Sequence, residues 1–189
     1  MFEHVTLLLS FVFAIALTHL MSSATELIQE RRRARFSGLH ALWMLNALVG
    51  LLVNWLGIWG LNILKRWSVA DVMLQFAMAA AQYFTCSLIS LRPPPGEPID
   101  MGAFFERQRP VFLGAYAALM LISMLQNWVY RDTTSGLPSN AWITEELLCA
   151  PMLAALLIAQ AKPRILQWAS GLVLLGFQSY FLITFAITD

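Results

Sequence analysis

Six stretches of about twenty mostly apolar residues leave this chain few ways to fold. A helix needs about 20 such residues to cross a hydrocarbon layer about 30 Å thick. Val5 to Gln29, Leu39 to Leu64, Val69 to Leu91, Val111 to Tyr130, Ile143 to Ala161 and Ile165 to Thr188 all meet that length. Charged residues make up only 12% of the 189 residues and hydrophobic ones 59%, about half the charge of a soluble domain. A cytosolic globular domain is excluded, and so is disorder, which needs low hydrophobicity and high net charge. A net charge of +1 gives no footing for nucleic acid. The expected fold is all-α: one domain over residues 1–189, a polytopic bundle of six transmembrane helices whose main partner is the bilayer.

Lys and Arg placement predicts the orientation. The turns after spans 1, 3 and 5 hold nine basic residues (Arg31, Arg32, Arg33, Arg35, Arg92, Arg107, Arg109, Lys162, Arg164), against Lys65, Arg66 and Arg131 on the other side. That asymmetry predicts a cytoplasmic face for the first set and both termini outside. The first apolar run is too long for a signal peptide and lacks a basic leader and a small-residue cleavage site, so it is expected to be a retained helix. Trp43, Trp67, Trp128, Trp142 and Trp168 fit the habit of tryptophan at membrane interfaces. Cys86 and Cys149 sit in apolar segments at opposite depths, where no disulfide is expected.

Polar side chains inside such spans are costly, so they tend to face protein or a water-filled cavity. In span 3, Asp71, Gln75, Gln82 and Cys86 fall within roughly 60° of one another at about 100° per residue, with Met78 on the same face. Span 4 repeats the pattern with Tyr116, Ser123, Asn127 and Tyr130, and span 6 with Gln167, Gly171 and Gln178. These faces are expected to converge on the bundle interior. Two roles are open to them: hydrogen bonding between helices, or the lining of a path for an ion or small polar solute. Asp71, with Glu145 and Glu146 at the start of span 5, favours helix capping by the dipole rule. Asp71 could also pair with Lys65 or Arg66, and a cation-attracting vestibule is the sharper alternative.

Histidines mark the other half. His19, Ser22, Ser23, Glu26 and Glu30 recur at helical spacing in span 1, giving a polar face that begins at mid-membrane, and His40 opens span 2 beyond the basic turn. A tight hairpin would bring His19 and His40 to similar depth. The plain role is a hydrogen bond between spans. Three chemistries stand beside it: axial ligation of a b-type haem, a transition-metal site with Glu26, or proton relay. Neither HExxH nor CxxC is present. In span 2, Asn46, Gly50 and Gly57 share a face with Gly60 close by, which predicts close packing on a helix of this chain or of a partner subunit, hence a homo-oligomer. Pro151 should kink span 5. The segment Arg92–Pro110 reads as a stiff PPPGEP stretch followed by a short amphipathic helix, MGAFFERQR, lying at the headgroups or docking a membrane-protein partner.

The strings LTHLMSSATELIQERRRARF and LHALWMLN resemble those of a family of small bacterial six-helix inner-membrane proteins, one with no established activity. The resemblance implies a bacterial inner-membrane location and a joint role for His19 and His40. No catalytic motif is recognised. A channel or transporter for an ion or small polar solute is the expected function. A haem-binding or redox protein using His19 and His40, and a non-catalytic subunit of a membrane complex, are the alternatives.

Overall fold

A computed structural model describes residues 2–63, 66–92, 96–130 and 141–184, the side chains of 63 and 141–148 excepted. Apart from one two-residue bridge, the chain is helical: α1 (Phe2–Gln29), α2 (Gly38–Gly57), α3 (Val69–Ile89), α4 (Met101–Tyr130), α5 (Ala141–Ala159) and α6 (Arg164–Thr184). A short 3-10 helix, Ile58–Ile63, prolongs α2. Five of the six, all but α5, are long and apolar enough to cross a membrane. In α5 the stretch Cys149–Ala159 is apolar, and its earlier side chains, Trp142, Glu145 and Glu146 among them, lie outside the described residues. Large apolar side chains such as Phe11, Phe84, Leu121 and Leu172 are exposed. An apolar surface of this kind is compatible with an integral membrane protein.

Short-range chemistry sets several helix starts. Ser37 caps α2 by accepting from the His40 N–H at 3.4 Å. Ser68 and Asp71 form a reciprocal capping box on α3, which satisfies donors a helix start otherwise leaves open. Asp100 accepts from the Ala103 N–H at 2.9 Å at the start of α4. That bond first, and then the positive charges of Arg35 and Arg164, holds the Asp100 carboxyl below the usual carboxylate range. The run of prolines after Ser90 stops α3, and Gly96, at φ +79°, supplies the left-handed turn that brings the chain back.

The turns at one end are joined. Two-residue strands β1 (Ala34–Arg35) and β2 (Ile99–Asp100) pair in parallel. Arg33 reinforces them by donating to the Glu97 carbonyl at 2.9 Å while ion-paired to Glu30 at 2.8 Å. Beneath this clip, Leu27, Leu91, Ile99 and Met101 form a small apolar cluster of their own.

The helices build a ring. Going round, α2 packs on α3, α3 on α4, α4 on α5, α5 on α6, and α6 returns to α2; α1 lies outside, against α3 and α2. The ring has a basic half, toward the clip, and a terminal half, toward the chain ends.

Two sequence expectations are corrected here. First, the helix expected to begin at Val111 after a surface segment is one unbroken helix from Met101 to Tyr130, with Pro110 inside it. A proline in a helix interior costs about 3 kcal/mol. Burial of Met101, Phe105 and Phe112 on the two sides of Pro110, at about 1.5–3 kcal/mol per large side chain, outweighs it. One face of the MGAFFERQR segment is therefore part of the core: Phe105 is 1% exposed and stacks on Trp43 at 6.4 Å. Second, Trp43 is no interfacial belt residue. It is fully buried against Phe105 and Phe112, because the extra turns of α4 cover it.

Candidate functional site

The two halves of the ring are filled differently. In the basic half, Trp43, Phe105, Phe112 and Tyr116 pack across the interior, all at most 1% exposed. In the terminal half a cavity of about 250 Å³ remains. Every ring helix contributes to its wall, and Phe13 of α1 reaches it as well. A space bounded by all five ring helices lies on the ring axis.

Polar side chains concentrate along that axis. Gln75, Ser123 and Asn127 line the cavity, joined by Asn54 and Gln126. Gln126 donates to the Gln75 Oε1 at 3.3 Å, and the buried Gln75 amide faces the Tyr130 hydroxyl on its other side. Ser123 donates to the sulfur of Met78 at 3.6 Å. Gln82 sits deeper, fully buried. It accepts from Asn54 at 2.6 Å and donates to Cys86 Sγ at 3.3 Å.

Below this level the axis is closed. Tyr116 donates to the Asn46 carbonyl at 3.0 Å and accepts from the Gln178 amide. Asn46 in turn donates to the carbonyls of Leu42 and Gly171, at 2.9 and 3.1 Å. Gly50 makes room for the knot: a Cβ there would lie 2.7 Å from the Tyr116 hydroxyl. Asn46 and Gly50 are thus used within the chain, where α2 meets α4 and α6. Gly57 is exposed, with open space where its Cβ would be, and forms part of the cavity wall.

Asp71 stands apart from the cavity. It caps α3 and accepts from the Tyr130 hydroxyl at 3.0 Å. Lys65 lies outside the described residues, and the ion pairs among the described residues do not include Asp71.

Both histidines reach the last turns of α3, from different helices. Arg92 offers only donors, so His19 Nδ1 accepts from it at 3.0 Å, and the proton on Nε2 points at the Tyr83 hydroxyl, 3.3 Å away. His40 Nε2 donates to the Ile89 carbonyl at 2.9 Å, and Phe104 and Phe105 pack on its ring. Three of the four ring nitrogens are therefore engaged by protein groups, and each imidazole ties its helix to α3. His19 lies level with the end of α3 and Arg92, below mid-span. Glu26 is exposed two turns further along α1. Among the described residues no group of three His, Cys, Asp or Glu side chains could hold a metal ion.

In comparisons with protein-family models, curated proteins and solved structures, nothing matches the chain. What the cavity can do follows from its wall. Among the described residues no charged side chain lines it, and toward that part of the wall a multiply charged solute would meet a large desolvation cost. Amide, hydroxyl and sulfur groups suit a neutral polar molecule or a singly charged ion.

Sequence reasoning missed Asn54 and Gln126. Asn54 follows Asn46 and Gly50 at steps of four, so the small-residue face of α2 already pointed to it. Gln126 sits about 100° from Asn127 on the helix, and a single-stripe reading admits only one of two such neighbours.

Proposed function

We propose that the protein is an integral membrane transport protein that takes a small solute, neutral or singly charged, into the ring axis from the terminal half. One observation carries the proposal: Asn54, Gln75, Ser123 and Asn127, from three helices, line a single cavity on that axis, above a closed plug, with no charged side chain among its described lining residues. Interhelical hydrogen bonding alone needs no open volume. The test is flux. Liposomes carrying the wild type should leak or exchange at least one member of a panel of cations, protons and small neutral solutes. Gln75→Leu and Asn127→Leu should each cut that flux by about tenfold or more, by putting an apolar wall where the solute sheds water. Their thermal stability should move by no more than about 0.6–2 kcal/mol, the worth of one interhelical hydrogen bond. Liposomes that stay tight across the panel would overturn the proposal and leave a partner-subunit role ahead.

The same reading places the chain in a bacterial inner membrane with its basic half in the cytoplasm, supported by the nine-to-three distribution of Lys and Arg. Reporter fusions after Arg35 and after Lys162 should show cytoplasmic activity, and a fusion after Asp189 should show the opposite. A cytoplasmic signal from the last would reverse the orientation or change the number of spans.

A further inference from the structure

The cavity wall is rich in sulfur. Three of the nine methionines (Met78, Met120 and Met152) and one of the two cysteines, Cys149, line it. Chance placement of nine methionines over 189 residues would put about one among seventeen lining positions. The three thioethers come from three different helices, α3, α4 and α5, and all four side chains are at least nine-tenths buried. Methionine often fills gaps in cores, but here the methionines border a gap that stays open.

We infer that the cavity binds a soft monovalent cation of the Cu(I) class, held by thioethers of Met78, Met120 and Met152. Thioether and thiol donors select Cu(I) over hard cations, which prefer carboxylate, carbonyl and water oxygens. The described part of the wall carries no charged side chain and so penalises a divalent ion far more than a single positive charge, while polarizable sulfur replaces part of the hydration that a monovalent ion gives up. Methionine side chains have three rotatable bonds, which lets sulfur atoms on separate helices converge on one ion. Ser123 already holds the Met78 sulfur at the wall with a hydrogen bond, and the Gln75 amide of the same wall, 2% exposed, would orient the last water that the ion carries. Neutral thioethers bind without releasing a proton. If Cys149 joins as thiolate, its S–H bond breaks, a Cu–S bond forms, and one proton leaves to solvent.

The inference rests on the transport reading only for what the site is for; binding itself is measured without flux. The full-length protein in detergent, kept reduced and free of oxygen, is titrated with Cu(I) against a chromogenic chelator, with Ag(I) as a redox-inert second probe. One equivalent should bind, and Na⁺, Mg²⁺ and Zn²⁺ should not compete. The triple variant Met78→Leu/Met120→Leu/Met152→Leu keeps side-chain volume and should melt close to wild type, yet bind Cu(I) at least about 100-fold more weakly. Cys86→Ser, outside the cavity, should bind as wild type does. Equal affinity in the triple variant, loss of binding in Cys86→Ser, or competition by Zn²⁺ would each overturn the site. Cu(I) binding with tight liposomes would keep the site and remove the transport role. Flux of another solute without Cu(I) binding would do the reverse.

Discussion

Gly50→Leu is expected to keep the bundle from assembling. A Cβ at this position already lies 2.7 Å from the Tyr116 hydroxyl and 3.5 Å from the Gln178 amide. Neither neighbour is a loose chain end, because Tyr116 is held between the Asn46 carbonyl and Gln178. Moving it breaks both bonds, at about 0.6–2 kcal/mol each in a membrane interior, and adds overpacking of about 1–3 kcal/mol even for small insertions. A leucine has to push α2 away from α4 and α6 together. The variant should elute as aggregate, and Gly50→Ala should survive with a clearly lower melting temperature in detergent. Gly57→Leu is the control, since nothing lies within 4 Å of its built Cβ, and its melting should change by no more than about 0.5 kcal/mol. Wild-type melting in Gly50→Leu would mean that the knot at Tyr116 is not formed.

Tyr116→Ala should act on flux in the opposite direction from Gln75→Leu. Tyr116 is fully buried and stands where the axis passes from open cavity to packed plug. Removing its ring joins the cavity to the level of Asn46 and Gln178, and the liposomes should become leakier than wild type. Stability falls too, by about 3–5 kcal/mol for truncating a buried aromatic, so two controls accompany it. Leu9→Ala, on the helix outside the ring, costs a comparable amount, about 2–5 kcal/mol, and should stay tight. Tyr116→Phe keeps the ring but loses the hydroxyl; it should melt lower and stay closed. Equal leak in Leu9→Ala and Tyr116→Ala would show a damaged bundle rather than an opened axis.

The helices were largely legible because their signal is local. Apolar length and capping residues set α1, α3 and the starts of α2 and α6 to within a few residues of their expected bounds, and the 3-10 helix Ile58–Ile63 supplies the rest of the second span. Pro110 misled because a helix-breaking rule carries a local cost of about 3 kcal/mol, while what offsets it, Phe105 on Trp43, joins residues far apart in sequence. Trp43 misled for the same reason: an interfacial and a buried tryptophan read alike until the helix that covers one of them is known. The polar stripes gave Gln75, Ser123 and Asn127 as a set, because helical spacing puts residues on a face. Spacing on one helix cannot say which faces enclose a void. Asp71 lies on the Gln75 face and caps a helix, Gln178 joins the plug, and only tertiary packing separates these from the cavity wall.

The hydrogen bond from Asn46 to the Gly171 carbonyl spans 125 residues, and that separation bears on how the molecule is made. The second helix leaves the ribosome long before the last one exists. At about 5–20 residues per second, the intervening chain takes roughly 6–25 s to appear. Through that interval Asn46 can satisfy one amide proton on its own helix, at the Leu42 carbonyl, but the other proton has no native acceptor. The groove around Gly50 likewise lacks the side chains of Tyr116 and Gln178 that later occupy it. The newborn protein therefore carries an uncovered polar notch until α6 has been made. The arrival of the sixth helix is the event that seals it, and any insertion factor that shelters this chain has to release the notch at that moment.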